Sequence, residues 1–425
     1  MILLIVTMLL LLVMGVRIAY AIGISSLIYI VCCTDISPMV VAQQISAGSD
    51  SIVMIALPFF LLAGELMNAG GITQRLVRFA MSLIGSIRGG LSFVVVVTNM
   101  IMAAVSGTAI GSGAAIGSVM IGAMEEKGYP KGFAGAVNAA AATIGPVIPP
   151  SVGFIIYASV SNASVGKLFV AGTIPGIVLG LGMMVACYII SRNRHFPSGE
   201  RISLKEVKSS FKGAIWSLLM PVIMIGGIMS GMVTATEAGV IAVAYCLVIS
   251  IWVHKDIKIN TLPSVLANAA KQTARIMIII AGAAAFGWII SREVEPQVFV
   301  DGVMSITRQQ WVFMILIISV IIALGTVMEG GSIMIILTPL LLPILQTFGI
   351  DLIHFGVVFQ LAIMLGLITP PVGILLFVIS GAGNVDIKDI LKNIWPFYIV
   401  IMVVMFLCAF IPNISLWLVN MLQLK

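Results

Sequence analysis

The chain has 425 residues, 60% of them hydrophobic and 9% charged, and its mean hydropathy is +1.20. Soluble domains carry about 25% charged residues, so this composition excludes an ordinary soluble fold and indicates an integral membrane protein. The net charge of +6 is accounted for by basic cytoplasmic loops and gives no reason to invoke nucleic acid.

In chain order, Ile2–Val13 has the texture of a signal-peptide core. No basic leader precedes it and apolar sequence runs past Arg17 to Cys33, so a retained membrane segment is expected. One long helix and two angled pieces are both compatible with Ile2–Cys33. Cys33–Asp50 holds acids but no basic residue and is expected to be periplasmic. The span Ile52–Ala69 carries Glu65 at membrane depth, read as an interfacial or paired structural acid. Arg75, Arg78 and Arg88 then mark the cytoplasmic side.

Leu91–Met124 presents a conflict, because Arg88 precedes it and Lys127 and Lys131 follow it. Both ends therefore look cytoplasmic. Its middle, Ser106-Gly-Thr-Ala-Ile-Gly-Ser-Gly-Ala-Ala-Ile-Gly117, is too rich in Gly and Ser for a plain helix interior. A re-entrant hairpin with its tip in this stretch resolves the conflict. Next comes Gly145-Pro-Val-Ile-Pro-Pro-Ser151. Paired prolines remove backbone donors and clash with the preceding turn, so a helix must unwind there.

After Ile190, Arg192, Arg194, Arg201, Lys205, Lys208 and Lys212 give the strongest cytoplasmic signal. Two spans, near Ala214–Val233 and Glu237–Val253, return the chain to Lys255, Lys258, Lys271 and Arg275 on the same face. Trp311–Leu345 repeats the hairpin pattern around Gly325-Thr-Val-Met-Glu-Gly-Gly-Ser332. Its flanks (Glu293, Glu295, Asp301, Asp351, His354) are mostly acidic, which places it on the opposite side. A second break, Gly366-Leu-Ile-Thr-Pro-Pro-Val-Gly373, follows.

The landmarks recur at nearly one shift. Gly325 lies 218 residues after Gly107 (325 − 107), Pro370 lies 221 after Pro149 (370 − 149), and Asn384 lies 222 after Asn162 (384 − 162). With opposite sidedness they describe an inverted repeat in an all-α polytopic membrane protein. Broken helices in matching positions of two halves point to the substrate and ion sites of a secondary transporter. The five cysteines (Cys32, Cys33, Cys187, Cys246, Cys408) show neither ligand nor disulfide spacing and are read as small buried hydrophobes. His195, His254 and His354 are isolated, which argues against an intramembrane zinc protease. An inverted repeat within one chain argues against a channel, whose symmetry usually comes from several subunits.

A broken helix offers carbonyls suited to a hard cation where one half ends, and N–H groups suited to an anion where the next begins. Carbonyls near Gly145, Pro146, Val147 and Ile148 are expected to face Ser106, Gly107 and Thr108. Those near Gly366, Leu367, Ile368 and Thr369 are expected to face Gly325 and Thr326. Hydroxyls of Ser106, Thr108, Thr143, Ser151, Thr326 and Thr369 could add neutral ligands. The near absence of carboxylates favours Na⁺ over a proton relay. For an anionic substrate the candidates are Thr108, Ser112, Asn138, Ser151, Asn162 and Ser332; Glu329 is either a site residue or a solvated tip. A cationic anchor must come from outside the breaks, with Arg17, Arg75, Arg292 and Arg308 as candidates. The tip glycines also match the small-xxx-small pattern of close helix packing; the repeat and the flanking charges weigh against that reading here.

These hairpin tips, with Gly-Pro-x-Ile-Pro-Pro-Ser and Gly-x-Ile-Thr-Pro-Pro-Val-Gly, make the whole chain resemble the large membrane subunit of tripartite ATP-independent periplasmic (TRAP) transporters. The motif neighbourhoods further resemble the sialic acid type. The resemblance implies an elevator-type ion transporter with two re-entrant hairpins and two discontinuous helices. It implies scaffold at 1–90, a transport repeat at 91–161 and scaffold again at 162–290, with a cytoplasmic loop at 191–213. A second transport repeat at 291–383 and a C-terminal helix at 384–425 complete the division. It also implies Na⁺ coupling, one sodium site at Ser106, Gly107 and Gly145–Ile148, and another at Gly325, Thr326 and Gly366–Thr369. The expected partners are a separate small four-helix membrane subunit and a periplasmic binding protein that delivers sialic acid or another carboxylate. The expected location is the bacterial inner membrane. A C4-dicarboxylate member of the family and a stand-alone Na⁺-coupled anion transporter are the alternatives.

Overall fold

In the computed structural model, which describes residues 2–50, 52–197, 203–293 and 296–422, the regular structure among those residues is helical. Arg201 and Glu295, two of the charges used to assign sides, lie outside the described residues. The first apolar stretch is two helices, α1 (Ile2–Val13) and α2 (Ile18–Cys33); α3 (Met39–Ser49) follows in the segment expected to be periplasmic. α4 (Ile52–Ala69) and α5 (Ile72–Ile84) meet at a 69° bend. Arg75 fastens that bend: its Nη1 donates to the carbonyls of Gly70 (2.9 Å) and Gly71 (3.0 Å) and pairs with Asp256 at 2.6 Å. It is thereby committed to structure.

α6 (Gly90–Ser106) and α7 (Ala109–Glu126) form the first hairpin. Its tip is only Gly107–Thr108. The tip lies at the start of the stretch Ser106–Gly117, and α7 runs through the rest of it. A Cβ on Gly113 would come within 3.0 Å of Ala142 and 2.9 Å of Ile379, so this glycine gives close helix packing, the reading weighed against above. α8 (Lys131–Ala142) is separated by the first break, 143–151, from α9 (Val152–Ser161). The chain continues with α10 (Val165–Asn193), α11 (Leu204–Met229), α12 (Ala235–Val248, extended by a π-helical turn to Val253), α13 (Leu262–Glu293) and α14 (Pro296–Ile306). Helix therefore occupies much of the loop expected at 191–213, because α10 continues to Asn193 and α11 already starts at Leu204.

The second hairpin is α15 (Gln310–Gly325) and α16 (Gly330–Thr347), followed by α17 (Leu352–Leu367), the second break at 368–373 and α18 (Ile374–Gly383). The chain then forms α19 (Ile387–Phe410) and α20 (Asn413–Met421), two helices where one was expected. Six of these helices are long and apolar enough to cross a membrane; with two bent pairs the number reaches eight among the described residues. Isolated prolines do not interrupt them: Pro175, Pro221 and Pro396 sit inside α10, α11 and α19. The two Pro-Pro pairs do, and both Pro-Pro bonds are cis.

The repeat extends through the elements themselves. α16 begins 221 residues after α7 (330 − 109), and α17 the same distance after α8 (352 − 131). The halves also exchange contacts: α9 packs on α16 and α18 on α7, so each short restarting helix sits on the hairpin of the other half. Such reciprocal pairing is what a two-fold relation produces. Around this body α12 packs on α4, and α13 runs along α2, α3 and α4. α4 reaches α6 and α9, and α13 reaches α16. Cys187, Cys246 and Cys408 are buried, as expected; Cys32 and Cys33 are exposed, a correction explained by their position on the outer end of α2.

Candidate functional site

Each hairpin tip is tied to its own helix break by a backbone hydrogen bond. In the first half the Gly107 carbonyl accepts the Val152 N–H at 3.3 Å; in the second the Thr326 carbonyl accepts the Gly373 N–H at 2.9 Å. Gly107 has φ +61, and a Cβ there would lie 2.6 Å from the Pro150 oxygen, so both its conformation and its neighbour demand glycine. Gly325 and Gly366 meet backbone to backbone: a Cβ on Gly366 would lie 2.7 Å from the Gly325 Cα.

Around the first tip, neutral oxygens converge. The hydroxyls of Ser106 and Ser112 both donate to the Thr108 carbonyl, at 3.3 and 3.0 Å. A Cβ on Gly145 would lie 3.0 Å from that carbonyl and 3.2 Å from Ser112 Oγ, so the start of the break closes on the same group. Thr108 Oγ1 caps α7 by accepting the Gly111 N–H at 3.2 Å. The other carbonyls of the break have different neighbours. Pro146 O accepts Ser151 Oγ–H at 2.5 Å, while Val147 O and the Ile148 side chain lie against Gly172 and Gly176 of α10. Thr143 Oγ–H returns to Ala140 O at 2.6 Å.

At the second tip, Thr326 Oγ–H donates to Ala323 O at 2.8 Å and Thr369 Oγ–H to Leu365 O at 2.6 Å. The Ile368 carbonyl accepts the Tyr398 hydroxyl. Gly366 and Leu367 end α17; the Gly366 carbonyl accepts the Thr369 N–H at 2.9 Å and keeps a second lone pair. Both hydroxyls keep acceptor lone pairs.

A cavity of about 460 Å³ lies between this body and the scaffold helices α4 and α13. The wall formed by the hairpins and breaks includes Ser106, Gly107, Thr108, Pro146, Glu329 and Leu367; the wall formed by α4 and α13 includes Glu65, Asn68, Gln272 and Arg275. Of the substrate candidates, Thr108 and Glu329 line it. Ser112 and Ser332 are buried behind the tips. Asn138 donates to Gly113 O (2.8 Å) and accepts from Asn99 Nδ2 (3.2 Å), which glues α6, α7 and α8 together. Ser151 caps α9 through the Phe154 N–H at 3.2 Å. Asn162 is exposed at the far end of α9, where its φ of +58 ends the helix as Asn384 (φ +50) ends α18.

Arg275, counted above among the loop cations, is the arginine that reaches the cavity; Arg17, Arg75, Arg292 and Arg308 do not line it. A signal for it was present: Gln272, Arg275, Ile276 and Ile279 fall at i, i+3, i+4 and i+7, one helix face. Glu65 accepts a hydrogen bond from Gln272 at 2.6 Å, so the acid read as a structural pair is paired, but inside the cavity.

Two interlocked broken-helix repeats bordering a polar cavity at a scaffold define a multi-pass membrane carrier. The family described as "Tripartite ATP-independent periplasmic transporter, DctM component" matches residues 5–414, and the chain belongs to it. It is 37% identical over 405 residues to the C4-dicarboxylate TRAP transporter large permease protein DctM of Pseudomonas aeruginosa, covering 95% of each chain. It is also 37% identical over 377 residues to the sialic acid TRAP transporter large permease protein SiaM of Vibrio cholerae, covering 89% of this chain and 88% of that one. These relatives are permease subunits, not enzymes. In fold it is similar to the YdaH transporter of Alcanivorax borkumensis, with a TM-score of 0.66 at 12% identity over 89% of this chain and 87% of the other.

Proposed function

We propose that this large permease subunit imports an organic acid by coupling to Na⁺, in the bacterial inner membrane. The observation that carries the reading is the pair of tip-to-break hydrogen bonds, Gly107 O to Val152 N and Thr326 O to Gly373 N. They fix neutral oxygens beside two helix ends, an arrangement suited to an alkali cation, on a body that packs as one unit. Ser106, the Thr108 carbonyl, Ser112 and Gly145 would hold one Na⁺; Thr326, Thr369 and the last carbonyls of α17 the other. Arg275 supplies the counter-charge for a carboxylate. Since the breaks cannot unwind further, the ions and acid cross with the whole body, as an elevator.

Sialic acid is the proposed cargo, by resemblance of the motif neighbourhoods. The equal identity to a C4-dicarboxylate permease supports a dicarboxylate as the second reading. A separate small membrane subunit and a periplasmic binding protein are the proposed partners. The test is uptake in liposomes, with and without these partners, of sialic acid and succinate under an imposed Na⁺ gradient. Saturable, Na⁺-dependent uptake of either acid is expected, and uptake indifferent to Na⁺ overturns the coupling. Cysteines placed at Asn68 and Ile110, on opposite cavity walls, and joined by a bifunctional reagent should stop uptake in folded protein; unchanged uptake overturns the elevator.

A further inference from the structure

Gln360 of α17 is 2% exposed, borders the cavity, and its Oε1 has no hydrogen-bond partner among the described residues. An unpaired buried acceptor is a standing cost to the fold, so a ligand that supplies the missing donor is favoured there. The position 221 residues earlier is Ala139 (360 − 139), fully buried in α8. The architecture therefore does not itself require an amide at this place.

The amide faces the start of α9. A Cβ on Gly153 would overlap it, so only glycine allows the approach. In that first turn the Val152 N–H goes to Gly107 O and the Phe154 N–H to Ser151 Oγ. The Gly153 N–H between them has no intrahelical acceptor. One neutral acceptor and one neutral donor thus share a corner of the cavity. The positive end of a helix disfavours a cation here. A carboxylate would satisfy the N–H but has no proton to offer Oε1. A hydroxyl satisfies both, accepting from Gly153 N–H and donating to Gln360 Oε1.

We propose that Gln360 and the Gly153 N–H form a subsite for a hydroxyl of the transported acid, opposite the carboxylate site at Arg275, and so set a preference for hydroxy acids over plain ones. This rests on the organic-acid reading above and deepens it. The test uses the purified full chain in nanodiscs with NaCl, titrated with N-acetylneuraminate, L-malate and succinate; the last two differ by one hydroxyl. Gln360→Leu is expected to weaken N-acetylneuraminate or malate, whichever the wild type binds, by about tenfold while leaving succinate within about twofold. Gly153→Ala, which displaces the amide without removing it, should give the same selective loss. Na⁺ binding in the absence of acid should be unchanged in both variants, which separates the effect from misfolding. Equal losses for all acids bound, or none, overturn the subsite alone. A wild type that binds none of the three overturns the organic-acid reading and the subsite with it.

Discussion

In the first half of the molecule the helix break is enclosed. Pro149 and Pro150 are buried, and Phe60 of α4, Phe169 of α10 and Met224 of α11 border them. In the second half Pro370, Pro371 and Val372 are exposed, Val372 by 37%, and Phe377 beyond them by 54%. Yet the tip-to-break hydrogen bond and the cis Pro-Pro bond are the same in both. The backbone connection is thus the common property, and the enclosure is added to one half by the scaffold helices that happen to lie over it. A non-helical segment at membrane depth must be covered by protein or border a wet space. By that rule the first break is covered by protein at Pro149–Pro150 and borders the cavity at Pro146, whereas the second is exposed at its Pro-Pro pair.

The largest effect is expected at the glycines where tip and break meet. Gly366→Ala would push a methyl against the Gly325 backbone, with no side chain able to yield. We expect a loss of about 3 kcal/mol in stability and no measurable uptake, against no effect for Gly226→Ala, which meets nothing within 4 Å. Thermal unfolding of the purified protein and liposome uptake check both. Next, Arg275→Gln should weaken acid binding by about 2 kcal/mol or more, roughly thirtyfold, with Na⁺ binding unaffected. Equilibrium binding decides it, and an unchanged affinity would remove Arg275 from the site.

Thiol access then tests the enclosure directly. In a background lacking the exposed Cys32 and Cys33, Val372→Cys should react with a polar maleimide at least about tenfold faster than Val147→Cys, because the latter position is 0% exposed. Equal rates would mean that the two breaks are equally covered. The smallest effect separates the hydroxyls. Ser151→Ala removes a cap and leaves Pro146 O without its buried donor, at a cost of about 1–2 kcal/mol. Thr369→Val, at the exposed break, should cost about 0.5 kcal/mol or less while weakening Na⁺ binding several-fold, since its hydroxyl donates to the nearby Leu365 carbonyl at the end of α17. Denaturation midpoints and Na⁺ titrations separate the two.

Much of this was legible in the chain. A Pro-Pro pair removes two donors whatever surrounds it, so both breaks could be placed to within a few residues. Flanking charge and a constant shift revealed the two hairpins. The tips were harder. The Gly/Ser run after Ser106 reads as loop, but only Gly107–Thr108 turns, because the remaining glycines let α7 approach α8 and α18. Asn162 and Asn384 mark the repeat and look chemical, yet both end helices.

Amino-acid order by itself determined that the chain lies in a membrane, that its halves repeat, and where its helices fail, because each of these follows from local backbone chemistry or from hydropathy summed along a segment. Only the tertiary structure decided that Glu65, Gln272 and Arg275 share a cavity with Glu329 and Gln360, and that one break is enclosed and its counterpart open. Those outcomes depend on which helix face meets which neighbour, and residues tens to hundreds of positions apart carry no local signature of meeting.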